Sequence, residues 1–114
     1  MSDLPIHLYQ NTIISAQSMG GTVTSDSTNI NTAISVCIQA IWSAGSTPVG
    51  TMVLQASNDN STWTEVTGSS LAVSGATGSN MWNVEKPAYG YIRMVYTRSS
   101  GSGTLNATIN AKRS

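Results

Sequence analysis

A chain of 114 residues, 39% of them apolar, is the size of one domain with one core. Only 9% of residues are charged and the formal net charge is zero, so no long-range field draws in nucleic acid or an anionic membrane, and neither is an expected partner. The apolar fraction and the neutral Ser, Thr, Asn and Gly remainder also argue against disorder.

The opening residues Met1-Ser2-Asp3-Leu4-Pro5 lack the basic stretch and apolar run of an export signal, and no segment is long and apolar enough to span a membrane. Synthesis in a cytosol without export is the expectation, in one domain over residues 1–114. Residues 1–10 form a candidate N-terminal arm, in which Leu4, Ile6, Leu8 and Tyr9 are the candidate contacts to a partner. The competing reading of this segment is an edge strand of its own sheet. Residues 12–19 admit a short helical turn, Thr22-Val23-Thr24 reads as a strand, and a Ser/Thr/Asn-rich loop follows.

The clearest periodicity comes next. Ile34, Val36, Ile38, Ala40 and Trp42 share one face and Ser35, Cys37 and Gln39 the other, the period of two that marks a strand. Residues 43–48 read as a turn, and residues 49–57 resume alternation with Met52, Leu54 and Ala56 together, so the two strands are expected to pair. Asn58-Asp59-Asn60 is a tight-turn signal leading into a short strand at 62–66. Short strands at 71–73 and 80–84 follow, the second with Trp82 and Val84 on one face. Residues 90–97 alternate Ile92, Met94 and Tyr96 against Tyr91, Arg93 and Val95. Residues 99–103 read as a hairpin loop before a last strand, which carries Leu105, Ala107, Ile109 and Ala111 on one face. Turn signals every eight to twelve residues between short alternating strands are the mark of a β-sandwich or barrel, and an all-β, antiparallel two-sheet sandwich is the expectation.

No catalytic constellation is legible, and an enzyme is not expected. The one imidazole, His7, has no acid beside it, and the carboxylates Asp3, Asp26, Asp59, Glu65 and Glu85 stand singly on different elements. One Cys and one His are too few for zinc, so no cofactor or catalytic metal is expected. Asn58, Asp59 and Asn60 could offer oxygen ligands to calcium, with a turn as the plainer explanation. Cys37 is read as a buried, reduced small hydrophobe. Aromatic faces next to amides suit sugar rings, which makes Trp63, Tyr89 and Tyr91 with the loop Asn58, Asp59 and Asn60 the candidate glycan contacts. A skin so poor in charge suits a protein packed against neighbours.

Residues 54–66, with Ser57-Asn58-Asp59-Asn60 leading to Trp63, resemble the strand, acidic turn and Trp anchor of discoidin-like (coagulation factor 5/8 type C) domains, although Asn60 stands where that family has Gly. Tyr91-Ile92-Arg93 resembles its later Y-V-R strand, and the resemblance implies a sandwich of jelly-roll or galactose-binding-like type. Over more of the chain, residues 36–42, 48–59, 81–84, 91–98 and 103–106 occur in an order similar to small virion proteins of tailed bacteriophages. That resemblance implies a structural virion protein, made in the host cytoplasm, that decorates or cements a capsid through protein-protein contacts. The major capsid protein and further copies of itself, as a trimer at shell junctions, would be the partners. A tail or neck component and a carbohydrate-binding adhesion module are the alternatives.

Overall fold

The computed structural model describes residues 6–31, 33–43 and 45–113, with 6–9 and 113 described by backbone alone. The strands are β1 (Ile6–Ser18), β2 (Val23–Thr24), β3 (Thr28–Asn29), β4 (Ser35–Ser43) and β5 (Val49–Ser57), then β6 (Thr64–Glu65), β7 (Leu71–Val73), β8 (Gly78–Glu85), β9 (Tyr91–Ser100) and β10 (Thr104–Arg113). They form a four-stranded sheet in the order β1-β10-β4-β8 and a six-stranded sheet β2-β9-β5-β6, in which β3 also pairs with β9 and β7 with β5. Every pairing is antiparallel. The chain passes from one sheet to the other after β1, β3, β4, β7, β8 and β9, the wrapped path of a jelly roll.

The core is the sum of the alternating faces read in the sequence. Val36, Ile38, Ala40 and Trp42 of β4 and Leu105, Ala107, Ile109 and Ala111 of β10 are buried, facing Met52 and Leu54 of β5 and Ile92, Met94 and Tyr96 of β9. Burying each large apolar side chain is worth about 1.5–3 kcal/mol, and this set is what holds the two sheets together.

Several expectations are corrected. β4 and β5 do not pair: β4 lies between β10 and β8, whereas β5 lies in the other sheet beside β9. Nor is 99–103 a hairpin, since β9 and β10 also belong to different sheets. Alternation reports which face of a strand is apolar, and both sheets of a sandwich present the same pattern. Residues 12–18 continue β1, and Met19 follows it, instead of 12–19 turning as a helix. The pairing of β1 with β10 slips between Thr12 and Ile14 and again before Gln17, and Ala16 has φ of 47°. These bulges bring the consecutive Ile13 and Ile14 both into the core, which breaks the period of two that would have marked a strand. Ile34 shares the parity of Val36 but is 42% exposed, because it precedes β4. There its amide donates to the Lys112 carbonyl and its carbonyl accepts from the Lys86 amide at the rim of the sheet. Cys37 is half-buried on the outer face of β4, outside the core. The strand β3 went unread because Thr28 and Asn29 sit in a run with no apolar alternation.

Two of the sheet-to-sheet connections pack against each other, through residues 45–48 of one and 101–103 of the other. The Ser102 amide donates to the Ser46 carbonyl at 3.0 Å, and the two serine hydroxyls are 3.1 Å apart. Gly101, with φ of 72°, lies flat against the backbone of Thr47 and Pro48.

Candidate functional site

β5 ends at Ser57, and the chain reverses through Asn58-Asp59-Asn60 before returning as β6. One Asp59 carboxylate oxygen, Oδ1, accepts from the Thr62 amide (2.8 Å), the Ser57 hydroxyl (2.8 Å) and the Ser61 amide (2.9 Å). The Asp59 amide in turn donates to Ser57 Oγ at 3.2 Å. Asn60 takes the left-handed conformation, φ 59°, which Asn accepts more readily than most residues. The cluster is therefore organised as a capped turn. The Thr62 amide first, then the Ser57 hydroxyl and the Ser61 amide, lower the Asp59 pKa to about 2. A depressed carboxylate pKa stabilises the fold fully above the ordinary value, and the contribution is lost as pH falls through about 2. Following the Asp59 carboxyl carbon by NMR is expected to give a midpoint near about 2. A midpoint at the ordinary value would contradict the three-bond cap.

Past the turn, Trp63 is held by a cation. The guanidinium carbon of Arg93 sits 4.2 Å from the centroid of the Trp63 ring, and Arg93 Nε donates to Gln55 Oε1 at 2.8 Å. Gln55 pairs with Arg93 on β9 and with Glu65 on β6, so these side chains meet across three adjacent strands on the outer face of the six-stranded sheet. Tyr91, opposite Ser57, stands one step along the same face. Tyr89 lies elsewhere. It packs against the core, burial pushes its pKa up, and its hydroxyl is buried without a hydrogen-bonding partner among the described protein atoms.

Beside β6 the surface opens into a cleft of about 520 Å³, with Ala56, Val66 and Tyr89 among its walls and Asn58, Asp59 and Thr62 also lining it. Of the glycan candidates, the structure gathers Asn58, Asp59 and Tyr89 at this cleft. Trp63 and Tyr91 belong to the outer sheet face, and Asn60 serves the turn. Gln55, Arg93, Thr62 and Val66 were not read as one site with them. Only the β5–β9 and β5–β6 registers bring these residues together, and no short-range signal encodes those registers. Of the partner-contact candidates, Leu4 lies outside the described residues. Ile6, Leu8 and Tyr9 lie in β1, whose backbone runs alongside β10 with Ile6 opposite Arg113 and Tyr9 opposite Ala111; their side chains are outside the described set.

A second surface is the outer face of the four-stranded sheet. Cys37 and Gln39 of β4, Met81 and Asn83 of β8, and Thr108 and Asn110 of β10 meet there in register. The centre of this face carries no charge. Met81 is 54% and Ile41 47% exposed on it.

No family model matches the chain, and no curated protein matches it. Solved structures do share the fold. The SPBc2 prophage-derived protein YomS superposes with a TM-score of 0.58 at 10% identity, over 96% of this chain and 97% of that one. VP2 of infectious bursal disease virus, solved as a subviral particle, gives 0.59 at 14% identity over 98% of this chain, which corresponds to 33% of VP2. A carbohydrate-binding module from the glycoside hydrolase family 9 protein Cel9A of Ruminococcus flavefaciens FD-1 gives 0.50 at 13% identity, over 92% and 98%. Identities this low establish a common sandwich and nothing finer. That sandwich is found in a phage-derived protein, a viral capsid protein and a carbohydrate-binding module.

Proposed function

We propose that this chain is a structural protein of a bacteriophage virion, in which it decorates or cements the capsid by contact with the major capsid protein and with copies of itself. The observation that carries the reading is the uncharged centre of the outer face of the four-stranded sheet, where Ile41 and Met81 stand exposed among Ser, Thr, Asn and Gln, and Glu85 and Lys112 appear only at one end. A surface of this kind is kept in solution by less charge than a free monomer's usually is, and its favourable use is burial against a neighbour. Small contacts of this sort become strong when a symmetric shell repeats them. The full-length likeness to a prophage-derived protein and the likeness to a viral capsid domain support the placement. The reading includes a non-enzymatic role and delivery to the particle after synthesis in the host cytoplasm. A tail or neck position is its nearest variant.

Mass spectrometry of purified particles is expected to find the chain in many copies, and particles lacking it are expected to lose their contents at lower temperature. Absence from the particle would overturn the proposal. So would deletion without any effect on particle composition or heat resistance.

A second reading, a carbohydrate-binding module, is favoured by the cleft that collects Asn58, Asp59 and the Tyr89 ring, and by the discoidin-like form of residues 54–66. It predicts a heat of binding to at least one sugar across a panel of mono- and oligosaccharides, and loss of that heat in Tyr89→Ala. A silent panel removes this reading and leaves the first intact.

A further inference from the structure

An open sandwich has two edges per sheet, and on each edge strand the backbone N–H and C=O groups facing away from the sheet have no strand to pair with. Folded proteins blunt such edges, because an unprotected one templates pairing with another chain. Three of the four edges here are blunted. One side of the six-stranded sheet ends in β2 and β3 and the other in β6 and β7, strands of two or three residues. On the four-stranded sheet, β1 is long, but its register slips at three places and Ala16 adopts positive φ, so its edge is bent and broken by bulges.

The fourth edge, β8, has none of these devices. Its 8 residues, Gly78–Glu85, pair with β4 without a slip. They include no proline and no lysine, and the one charged residue is Glu85 at the last position. Side chains alternate along it: Trp82 and Val84 pack toward the core, while Ser79, Met81 and Asn83 are exposed on the outer face. Met81, near the middle, is the most exposed large apolar side chain among the described residues at 54%.

We infer that the free edge of β8 pairs antiparallel with β8 of a second copy of this chain about a two-fold axis at Met81, joining two four-stranded sheets into one continuous sheet. A strand laid against itself about residue 81 puts Met81 opposite Met81 and Ser79 opposite Asn83. Because each such pair joins residues of the same parity, the core faces of both copies stay on the same side; a slip by one residue would turn one core outward. The charges also permit it. The two Glu85 carboxylates lie at opposite ends of the pair, each facing the neutral Thr77, and no like charges meet. Ile41, 47% exposed, stands opposite Ser79 on β4 and extends the apolar contact of Met81 on each side of the axis. An edge neutral from Gly78 to Val84 has nothing for a charged partner to complement, whereas it is complementary to itself. A trimer would have to use another surface, since pairing between like strands closes after two copies.

The inference stands apart from the virion reading and can fail without it. Light scattering of the full chain after size exclusion is expected to give a dimer, and Met81→Lys, by placing two like charges together at the axis, is expected to weaken it by at least about tenfold. Met81 is exposed, so the variant should keep the strand-rich circular dichroism of the parent. In a Cys37→Ser background, Met81→Cys is expected to cross-link into a dimer with a short bismaleimide, whereas Ser79→Cys, paired with Asn83 and not with itself, is not. A chain that stays monomeric at high concentration would overturn the inference. A dimer indifferent to Met81→Lys, or one that fails to cross-link at position 81, would overturn it equally.

Discussion

Gly101→Ala is expected to destabilise the protein by about 2–4 kcal/mol, a cost far above what one methyl group at a surface loop would suggest. The backbone contributes first. With φ of 72°, residue 101 is in the left-handed region, where an L side chain costs roughly 1–2 kcal/mol. Packing contributes the rest, because a Cβ at this position would overlap the Thr47 carbonyl and touch Pro48 Cα at 3.0 Å. These neighbours are main chain and cannot rotate away. The strain would spread into the contact between the two sheet-to-sheet connections and loosen both. For a domain of this size the change corresponds to a fall in Tm of roughly 8–16 °C, readable by calorimetry or by circular dichroism on heating. Gly21→Ala supplies the control: nothing lies within 4 Å of its added Cβ and its φ is not strained, so its Tm should match the parent's. Equal melting of the two variants would mean that 45–48 and 101–103 do not pack as described.

Ile38→Ala is expected to cost about 2–5 kcal/mol, and Ile34→Ala less than about 1 kcal/mol, although both isoleucines fall on the same side of the alternation that defines β4. Ile38 is 1% exposed in a strand with neighbours on both sides, opposite Ile109 on β10 and Trp82 on β8. Truncating it leaves a cavity that the surrounding sheet, fixed by two ladders of hydrogen bonds, cannot collapse to fill. Ile34 is 42% exposed, and its backbone, not its side chain, holds the sheet's rim. Urea unfolding with an unchanged slope would measure both. Similar costs at the two positions would place Ile34 in the core after all.

Those two isoleucines mark how far the sequence could be read. Along β4, β5, β9 and β10 the inward residues Val36, Met52, Ile92 and Leu105 were legible one strand at a time, because burial on one face is a local pattern written at a period of two. The partner of each strand was not. In a sandwich, both sheets turn an identical pattern toward the same core, so nothing local distinguishes a hairpin within one sheet from a crossing between two. β4 with β5 and β9 with β10 were misread for that reason. β1 failed differently: its bulges place Ile13 and Ile14 side by side in the core, and periodicity alone makes that pair resemble a helical turn. The site followed the same rule. Asp59 as the centre of a turn was readable from three adjacent residues, but the stacking of Arg93 on Trp63 needed β5, β6 and β9 as neighbours. Long-range register is therefore what the sequence concealed in both the fold and the site.

The placement of β10 between β1 and β4 has a consequence for how the molecule comes into being. Among the described residues β1 pairs with β10 alone, and β4 has β10 on one side, so the four-stranded sheet lacks its middle while the ribosome is still translating the residues before Thr104. Until then β1 and the pair formed by β4 and β8 would expose their apolar faces without their common neighbour. Folding of this sheet must wait for the chain behind it, and long-range closure of that kind is slow, on the order of milliseconds to seconds. A cell making many copies at once would hold a population of nearly finished chains with β1 unpaired, and the bulges that blunt this edge form only when β10 arrives to pair with it.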